Sequence, residues 1–263
     1  MSNNEIEIPL RRFKTLLVVD LEATCWAEGR GPREDMETIE FGAVLVRTTD
    51  LQPIDERSWF IRPMLHPILS EFCTELTSIT QEQVDNAQPF EQVCELIAEW
   101  LEPHRERLGW GSWGNYDRHQ LQRDAARLGM QSPLGPFPHT NLKDVFTRRH
   151  RISRTKRPGM QKALQMCGLS LEGLHHRGID DARNIARMLP WLIDPEKKIR
   201  YDEPLPIMSA AIAALGSEKE AKRWLRTPCH ALDGKRPCDV MKSAAGDQEV
   251  RRLLEQMNND SVH

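Results

Sequence analysis

Four consecutive apolar residues, Leu16 to Val19, run straight into Asp20, Leu21 and Glu22. An unbroken, β-branched-rich apolar run marks a strand covered on both faces, and so commits the chain to a layered fold. Side chains alternate along a strand, so Asp20 and Glu22 project from one face at its end. Two acids on one face repel each other and lose hydration unless a cation lies between them. A hard divalent ion such as Mg²⁺, which takes oxygen ligands, resolves both costs. An exposed strand end with two solvated acids is the commoner explanation of such a pair, so the pair alone decides nothing.

The rest of the chain supplies the layers. Ile39 to Val46 reads as a second strand and Trp59 to Ile61 as a third, spaced for an antiparallel meander. The period then changes: Val93, Leu96, Ile97, Trp100 and Leu101 form an amphipathic helix closed by Pro103. Leu108 to Gly114 is a short strand-like segment. Arg118 to Leu128 is helical and stopped by Gly129, and Ile179 to Ile193 carries a helical stripe interrupted by Pro190. Asp194, Pro195 and the run YDEPLP at 201–206 read as a linker. Beyond it, Ile207 to Leu215, Glu218 to Arg226 and Val250 to Met257 are short helical patterns. At 263 residues the chain exceeds one ordinary domain of about 100–200 residues. The expected division is an N-terminal tail (1–13), an α/β domain (14–198) and a small all-helical domain (199–263).

Composition bounds the function. Hydrophobic residues at 39% and charged residues at 29% are globular values that allow a sizeable core. A formal net charge of −3 excludes a protein that coats nucleic acid by bulk charge, and leaves open one that works from a local basic groove. The N-terminus has no apolar stretch of export-signal length and no segment reaches transmembrane length, so a cytoplasmic location is expected. Six cysteines that never form a CxxC pair read as reduced, mostly buried thiols.

Two further segments bear on the acid pair. In GSWGNYDRHQL, Asp117 follows a Trp/Gly-rich stretch and begins a helix; in HHRGIDDARNIARM, His176 and Asp181 flank a glycine turn. Each has an ordinary explanation. Asp117 reads equally as a helix N-cap, Asp180 competes with Asp181 for a capping role, and a lone loop histidine is more often structural.

Taken together, VVDLEATC, WGNYD and HHRGIDDARNIA resemble the three motifs of the DEDDh 3′–5′ exonucleases, in order and spacing. The nearest group is the Eri-type exoribonucleases, and the similarity spans about residues 14–193. The resemblance implies a ribonuclease-H-like mixed sheet flanked by helices. It also implies that Asp20, Glu22, Asp117 and Asp181 hold two Mg²⁺ or Mn²⁺ ions, with His176 as general base. His176 is chosen over His175 because the family spacing is His, four residues, then Asp. Two metal ions roughly 3.5–4 Å apart activate a water and relieve the leaving 3′ oxygen of charge. The activity implied is hydrolysis from the 3′ end of single-stranded RNA, releasing nucleoside 5′-monophosphates.

For substrate, Phe72 and Tyr116 match family positions that hold the terminal base, and Ala23 and Thr24 those whose backbone meets the terminal sugar. Core packing explains Phe72 equally well. The run TRRHRISRTKRP (147–158), with Arg154 at its centre, is a candidate phosphate track or a solvated loop.

AKRWLRTPCHALDGKRPCDVM resembles the toxin-binding domain of Xre/MbcA/ParS-type antitoxins, through Trp224, Leu225, Thr227, Pro228, Leu232, Gly234, Pro237 and Asp239. The DNA-binding helix-turn-helix of those antitoxins is absent. A protein-docking or self-associating role and a bacterial source are expected. Two other readings stand beside the ribonuclease: a DNA 3′–5′ exonuclease, and a toxin-partner or adaptor protein that binds nucleic acid without cutting it.

Overall fold

The computed structural model describes residues 9–27, 33–199, 207–241 and 243–260, in two compact units, Met1–Arg200 and Tyr201–His263. The first unit is built on a five-stranded mixed sheet: β1 (Thr15–Ala23), β2 (Thr38–Arg47), β3 (Pro53–Phe60), β4 (Leu108–Ser112) and β5 (His139–Asn141), in the order β3-β2-β1-β4-β5. β1 pairs antiparallel with β2 and parallel with β4; β2–β3 is antiparallel and β4–β5 parallel. Its helices are α1 (Glu71–Thr77), α2 (Gln81–Asp85), α3 (Phe90–Leu101), α4 (Tyr116–Arg127), α5 (Leu142–Arg149), α6 (Met160–Cys167), α7 (Gly178–Arg187) and α8 (Leu189–Ile193). This is the ribonuclease-H-like arrangement expected from the resemblance.

The alternation of β1 explains the layers. Leu16 and Val18 enter a buried cluster with Val44, Val46, Phe146, Leu164, Ala182 and Ile185, so α5, α6 and α7 cover that face. Leu17, Val19 and Leu21 enter a second cluster with Phe41, Val93, Ile97, Leu101 and Leu121, so α3 and α4 cover the other. Each fully buried Leu or Val contributes roughly 1.5–3 kcal/mol. The central strand is thus clamped on both sides, and its carboxylate-bearing end is held rigidly.

Several expectations change. Packed structure begins before residue 14: Pro9–Arg12 forms a 3₁₀ turn, and Leu10 and Phe13 are buried in the same cluster as Leu16. The third strand extends well N-terminal of Trp59, because β3 is a sheet edge and the run Asp55 to Ser58 is polar, which hid its pattern. The stripe from Ile179 to Ile193 is two helices, α7 and α8, with Pro190 in the first turn of α8. The basic run 147–158 is not one loop. Arg148 and Arg149 close α5, where cations suit the negative helix end. Arg149 donates to the Asp194 carbonyl and Arg157 pairs with Asp144, so neither is a loose cation. Arg154 lies in a 3₁₀ turn, Arg154–Lys156, and its side chain is outside the described residues, as are residues 1–8 and the YDEPLP run.

The second unit contains α9 (Ile207–Leu215), α10 (Glu218–Arg226), α11 (Pro237–Val240) and α12 (Ala244–Asp260). Ala211, Ala221, Leu225, Leu232, Val250 and Leu254 form its core, with Trp224 packed against it. Asp233 and Gly234 take left-handed conformations (φ 52° and 74°), and the Gly234 amide returns to the Cys229 carbonyl, closing the turn between α10 and α11. Among the described residues, no helix is long and apolar enough to cross a membrane.

Candidate active site

The site forms where β1 ends. Asp20 and Glu22 lie two residues apart there, Glu22 buried at 8% exposure and Asp20 partly open. α7 brings Asp181 to the same place, because two glycines let backbone meet backbone. A Cβ on Gly42 would lie 2.1 Å from the Gly178 carbonyl carbon, and one on Gly178 would lie 2.9 Å from the Asp20 carbonyl oxygen. The result is a cluster in which one carboxylate oxygen each of Asp20, Glu22 and Asp181 lies within 4.8 Å of the others. Asp117, in the first turn of α4, is buried beside it and accepts a hydrogen bond from the Leu21 amide at 3.1 Å. The helix-cap reading of Asp117 therefore fails: its carboxylate ties α4 to the strand between the two acids.

Electrostatics shows what such a cluster demands. Burial first, then the carboxylates of Asp117, Glu22 and Asp181, push the Asp20 pKa far up. Burial, followed by Asp181, Glu40 and Asp117, pushes Glu22 up to about 9. Burial also raises Asp117, to about 6, against the opposing hydrogen bonds of its own backbone, the Leu21 amide and the Ser112 hydroxyl. Asp181 is raised by burial and partly relieved by His175 and His176. Four acids share one low-dielectric pocket with too little positive charge to balance them. Divalent cations fit this donor set, since hard oxygen ligands at close quarters suit Mg²⁺ or Mn²⁺.

The histidine loop leads into α7. The His176 amide donates to Asp181 Oδ2 at 3.0 Å, fixing the carboxylate's orientation. His176 has φ 63°, in the left-handed region, and the two adjacent imidazoles stack with centroids 4.0 Å apart and planes at 18°. His175 Nδ1 lies 3.1 Å from Asp181 Oδ2 and 3.3 Å from Oδ1. Burial, then the neighbouring His175, lowers the His176 pKa against the pull of Asp181, so its ring is neutral near pH 7. Both histidines thus stand at the carboxylate, the residue matching the family spacing and the one set aside for it.

Of the expected substrate residues, Phe72 and Tyr116 are 40% and 44% exposed, which removes core packing as the explanation for Phe72. α1 docks Phe72 beside the end of β1: the Ser70 hydroxyl donates to the Cys25 carbonyl at 2.6 Å, and Cys73 Sγ reaches the Ala23 carbonyl at 3.7 Å. Ala23 and Thr24 are buried. The Thr24 amide donates to the Glu37 carbonyl and its hydroxyl accepts from the Glu37 amide.

Sequence reasoning missed Glu40. Its carboxylate is fully buried opposite Glu22 in the sheet and accepts from Arg177 Nε (3.1 Å), the Gly178 amide (3.0 Å) and the Ser58 hydroxyl (2.8 Å). Glu40 therefore fastens the start of α7, and with it Asp181 and the histidine loop, to the sheet. The signal was present: a lone Glu inside the apolar strand TIEFGAVLV must be paired to be tolerated. Ser112 and the two glycines carried no comparable mark.

Comparison with known proteins bears on the family and the fold. Residues 17–189 match a family model described as Exonuclease (RNase_T), and residues 210–259 match the antitoxin Xre/MbcA/ParS C-terminal toxin-binding domain. The "3'-5' exonuclease eri1" of Schizosaccharomyces pombe is 33% identical over 205 residues, covering 67% of this chain and 67% of that protein. The human "ERI1 exoribonuclease 2" is 32% identical over 199 residues, covering 68% of this chain; the match spans 28% of that protein's length. Among solved structures, the nuclease domain of 3'hExo, a DEDDh family member, bound to rAMP, aligns with a TM-score of 0.65 at 28% identity, covering 73% of this chain and 98% of that one.

Proposed function

Because this chain belongs to the exonuclease family, we propose that it hydrolyses single-stranded RNA from the 3′ end and releases nucleoside 5′-monophosphates. The observation that carries the reading is the convergence of Asp20, Glu22 and Asp181 to within 4.8 Å, with Asp117 buried beside them and His176 at Asp181. Asp20, Glu22, Asp117 and Asp181 would hold the divalent ions, whose chemistry there would be Lewis-acid activation of a water and relief of charge at the leaving 3′ oxygen.

The chain's own residues do the rest. His176, neutral at cellular pH, accepts the water's proton on an imidazole nitrogen. The Asp181 carboxylate, pinned by the His176 amide, keeps that ring beside the acids. Phe72 and Tyr116 present exposed rings on which the last bases stack with little sequence preference. RNA is favoured over DNA by the Eri-type relatives, and the cytoplasm is the expected location. For the C-terminal unit, the antitoxin-domain match supports a protein-docking or self-associating role.

Purified protein with Mg²⁺ or Mn²⁺, given 5′-labelled single-stranded RNA and DNA of one sequence, tests this. A ladder shortening from the 3′ end on RNA is the expected outcome. Cleavage of DNA alone would reverse the substrate assignment, and no cleavage of either would favour an adaptor role.

A further inference from the structure

Two cysteines that the proposed reaction does not use lie side by side where β1 meets α1. Cys25 follows the end of β1, and Cys73 sits in the first turn of α1. The Ser70 hydroxyl joins their backbones, accepting from the Cys73 amide at 3.0 Å and donating to the Cys25 carbonyl at 2.6 Å. Their side chains meet as well. The Cys25 thiol donates a hydrogen bond to the Cys73 sulfur, and Cys73 Sγ donates to the Ala23 carbonyl at 3.7 Å. We propose that Cys25 and Cys73 form a modification site, a dithiol that a peroxide closes into a disulfide, and that closure slows hydrolysis.

A buried cysteine is ordinarily a small apolar filler. Cys94 and Cys167 serve in that way, each the single cysteine of its core cluster. Cys73, at 0% exposure, has instead a second thiol against it, and its other cluster neighbours, Ile39, Leu69, Ile79 and Val84, are apolar. Bonded sulfurs stand about 2.05 Å apart, so two sulfurs already in hydrogen-bond contact need only a small side-chain turn. Cys25 is partly exposed and Cys73 is not, so an oxidant reaches Cys25 first and Cys73 lies behind it as the resolving thiol. The Cys25 sulfur attacks one peroxide oxygen; the O–O bond breaks, leaving a sulfenic acid and one water. The Cys73 sulfur then displaces the sulfenic oxygen as a second water, and the S–S bond forms. Two electrons pass from the thiols to the peroxide, and both thiol protons end in the waters. A dithiol reductant returns the electrons and protons and reopens the pair.

The site stands independently of the hydrolytic reading; only its effect on rate rests on that reading. A disulfide has no S–H, so closure takes from the Ala23 carbonyl the donor it now has. Phe72 precedes Cys73 on α1 and moves with it. Ala23 and Phe72 are the residues expected at the terminal sugar and base, so closure displaces the substrate's end from the acids. A shift of about 1 Å in a positioning group can cost about 10²-fold, and kcat/KM should fall by at least about tenfold.

Two measurements on the full chain test this. In the first, the wild type is treated with hydrogen peroxide, desalted, digested without reduction and read by mass spectrometry. The expected product is a cross-linked peptide pair containing Cys25 and Cys73, absent from Cys25→Ser. Cys25 ending as a sulfinic acid, Cys25 bridged to another cysteine, or both thiols unchanged overturns the proposal, and none of these readings needs activity. The second carries the desalted proteins into the labelled-RNA assay with Mg²⁺. Oxidised wild type slows by at least about tenfold and recovers with dithiothreitol, as does Cys238→Ser, which lacks an exposed thiol of the second unit. Cys25→Ser, native by circular dichroism, keeps its rate through the treatment. An equal loss in Cys25→Ser, or a cross-linked wild type of full rate, overturns the effect on hydrolysis. A chain that cross-links as expected and cuts nothing even before treatment refutes the nuclease reading alone.

Discussion

Two groups of buried acids lie a few residues apart in this molecule and live under opposite conditions. Glu37, Glu40 and Asp124 are each surrounded by donors. Glu37 accepts from the amides of Met64, Leu65 and His66; Asp124 accepts from the Thr38 amide and hydroxyl and pairs with Arg127; Glu40 holds Arg177, Gly178 and Ser58. Asp20, Glu22 and Asp181 instead face one another. Burial thus conceals two trades. The first group fastens loops and helices to the sheet; the second is held in place by the first and left short of positive charge. A buried carboxylate among donors builds the fold, and one crowded by other carboxylates awaits an ion.

The sharpest way to break this distinction is Asp20→Asn. Hydrolysis of labelled RNA should fall by at least about 10³-fold while circular dichroism stays native and melting of the metal-free protein is not lowered, because the residue serves the ions and not the packing. Glu40→Ala should do the reverse kind of damage. Leaving Arg177, the Gly178 amide and the Ser58 hydroxyl without their acceptor should cost about 3–5 kcal/mol in urea unfolding. A Glu40→Ala protein as stable as the wild type would show that α7 is fastened by other means.

Next comes Glu22→Gln, which removes the cost of keeping protonated in the fold a carboxyl that the unfolded chain ionises. Metal-free protein should gain about 1 kcal/mol, seen as a higher Tm, while losing metal-dependent activity. A lower Tm would mean that the cluster is already balanced.

The smallest effect is a pH dependence. Glu22 titrates near 4.5 ordinarily and near 9 in the fold. Between these values the folded chain keeps a proton that the unfolded chain releases, so metal-free stability falls as pH rises through the window. A divalent ion replaces that proton. Added Mn²⁺ should therefore raise Tm more at pH 8.5 than at pH 5.5, and an equal shift at both would contradict the assignment.

Legibility in the sequence followed the same division. β1 was readable because four apolar residues in a row serve both faces, and the acids because they interrupt that pattern at its end. β3 was obscured by the polar residues of a sheet edge, and α5 by its shortness and the charged residues set between its buried ones. The resemblance supplied Asp117 and Asp181, which spacing alone left as caps. Glu40 escaped because its partners, Arg177 and Gly178, lie more than 130 residues away, a distance no local pattern reports. His175 was set aside on spacing, yet the left-handed turn at His176 folds both rings onto one carboxylate.

The seam between Gly42 and Gly178 sets the gauge of the whole cluster. Hydrogen atoms alone separate the two elements there, so the gap between Asp20 and Asp181 is fixed by an absence of carbon. A single methyl at Gly42 would act as a shim, lifting the start of α7 and widening the claw that must close on its cations. Nuclease output should therefore be throttled from a position that touches neither ion nor substrate, through thickness alone.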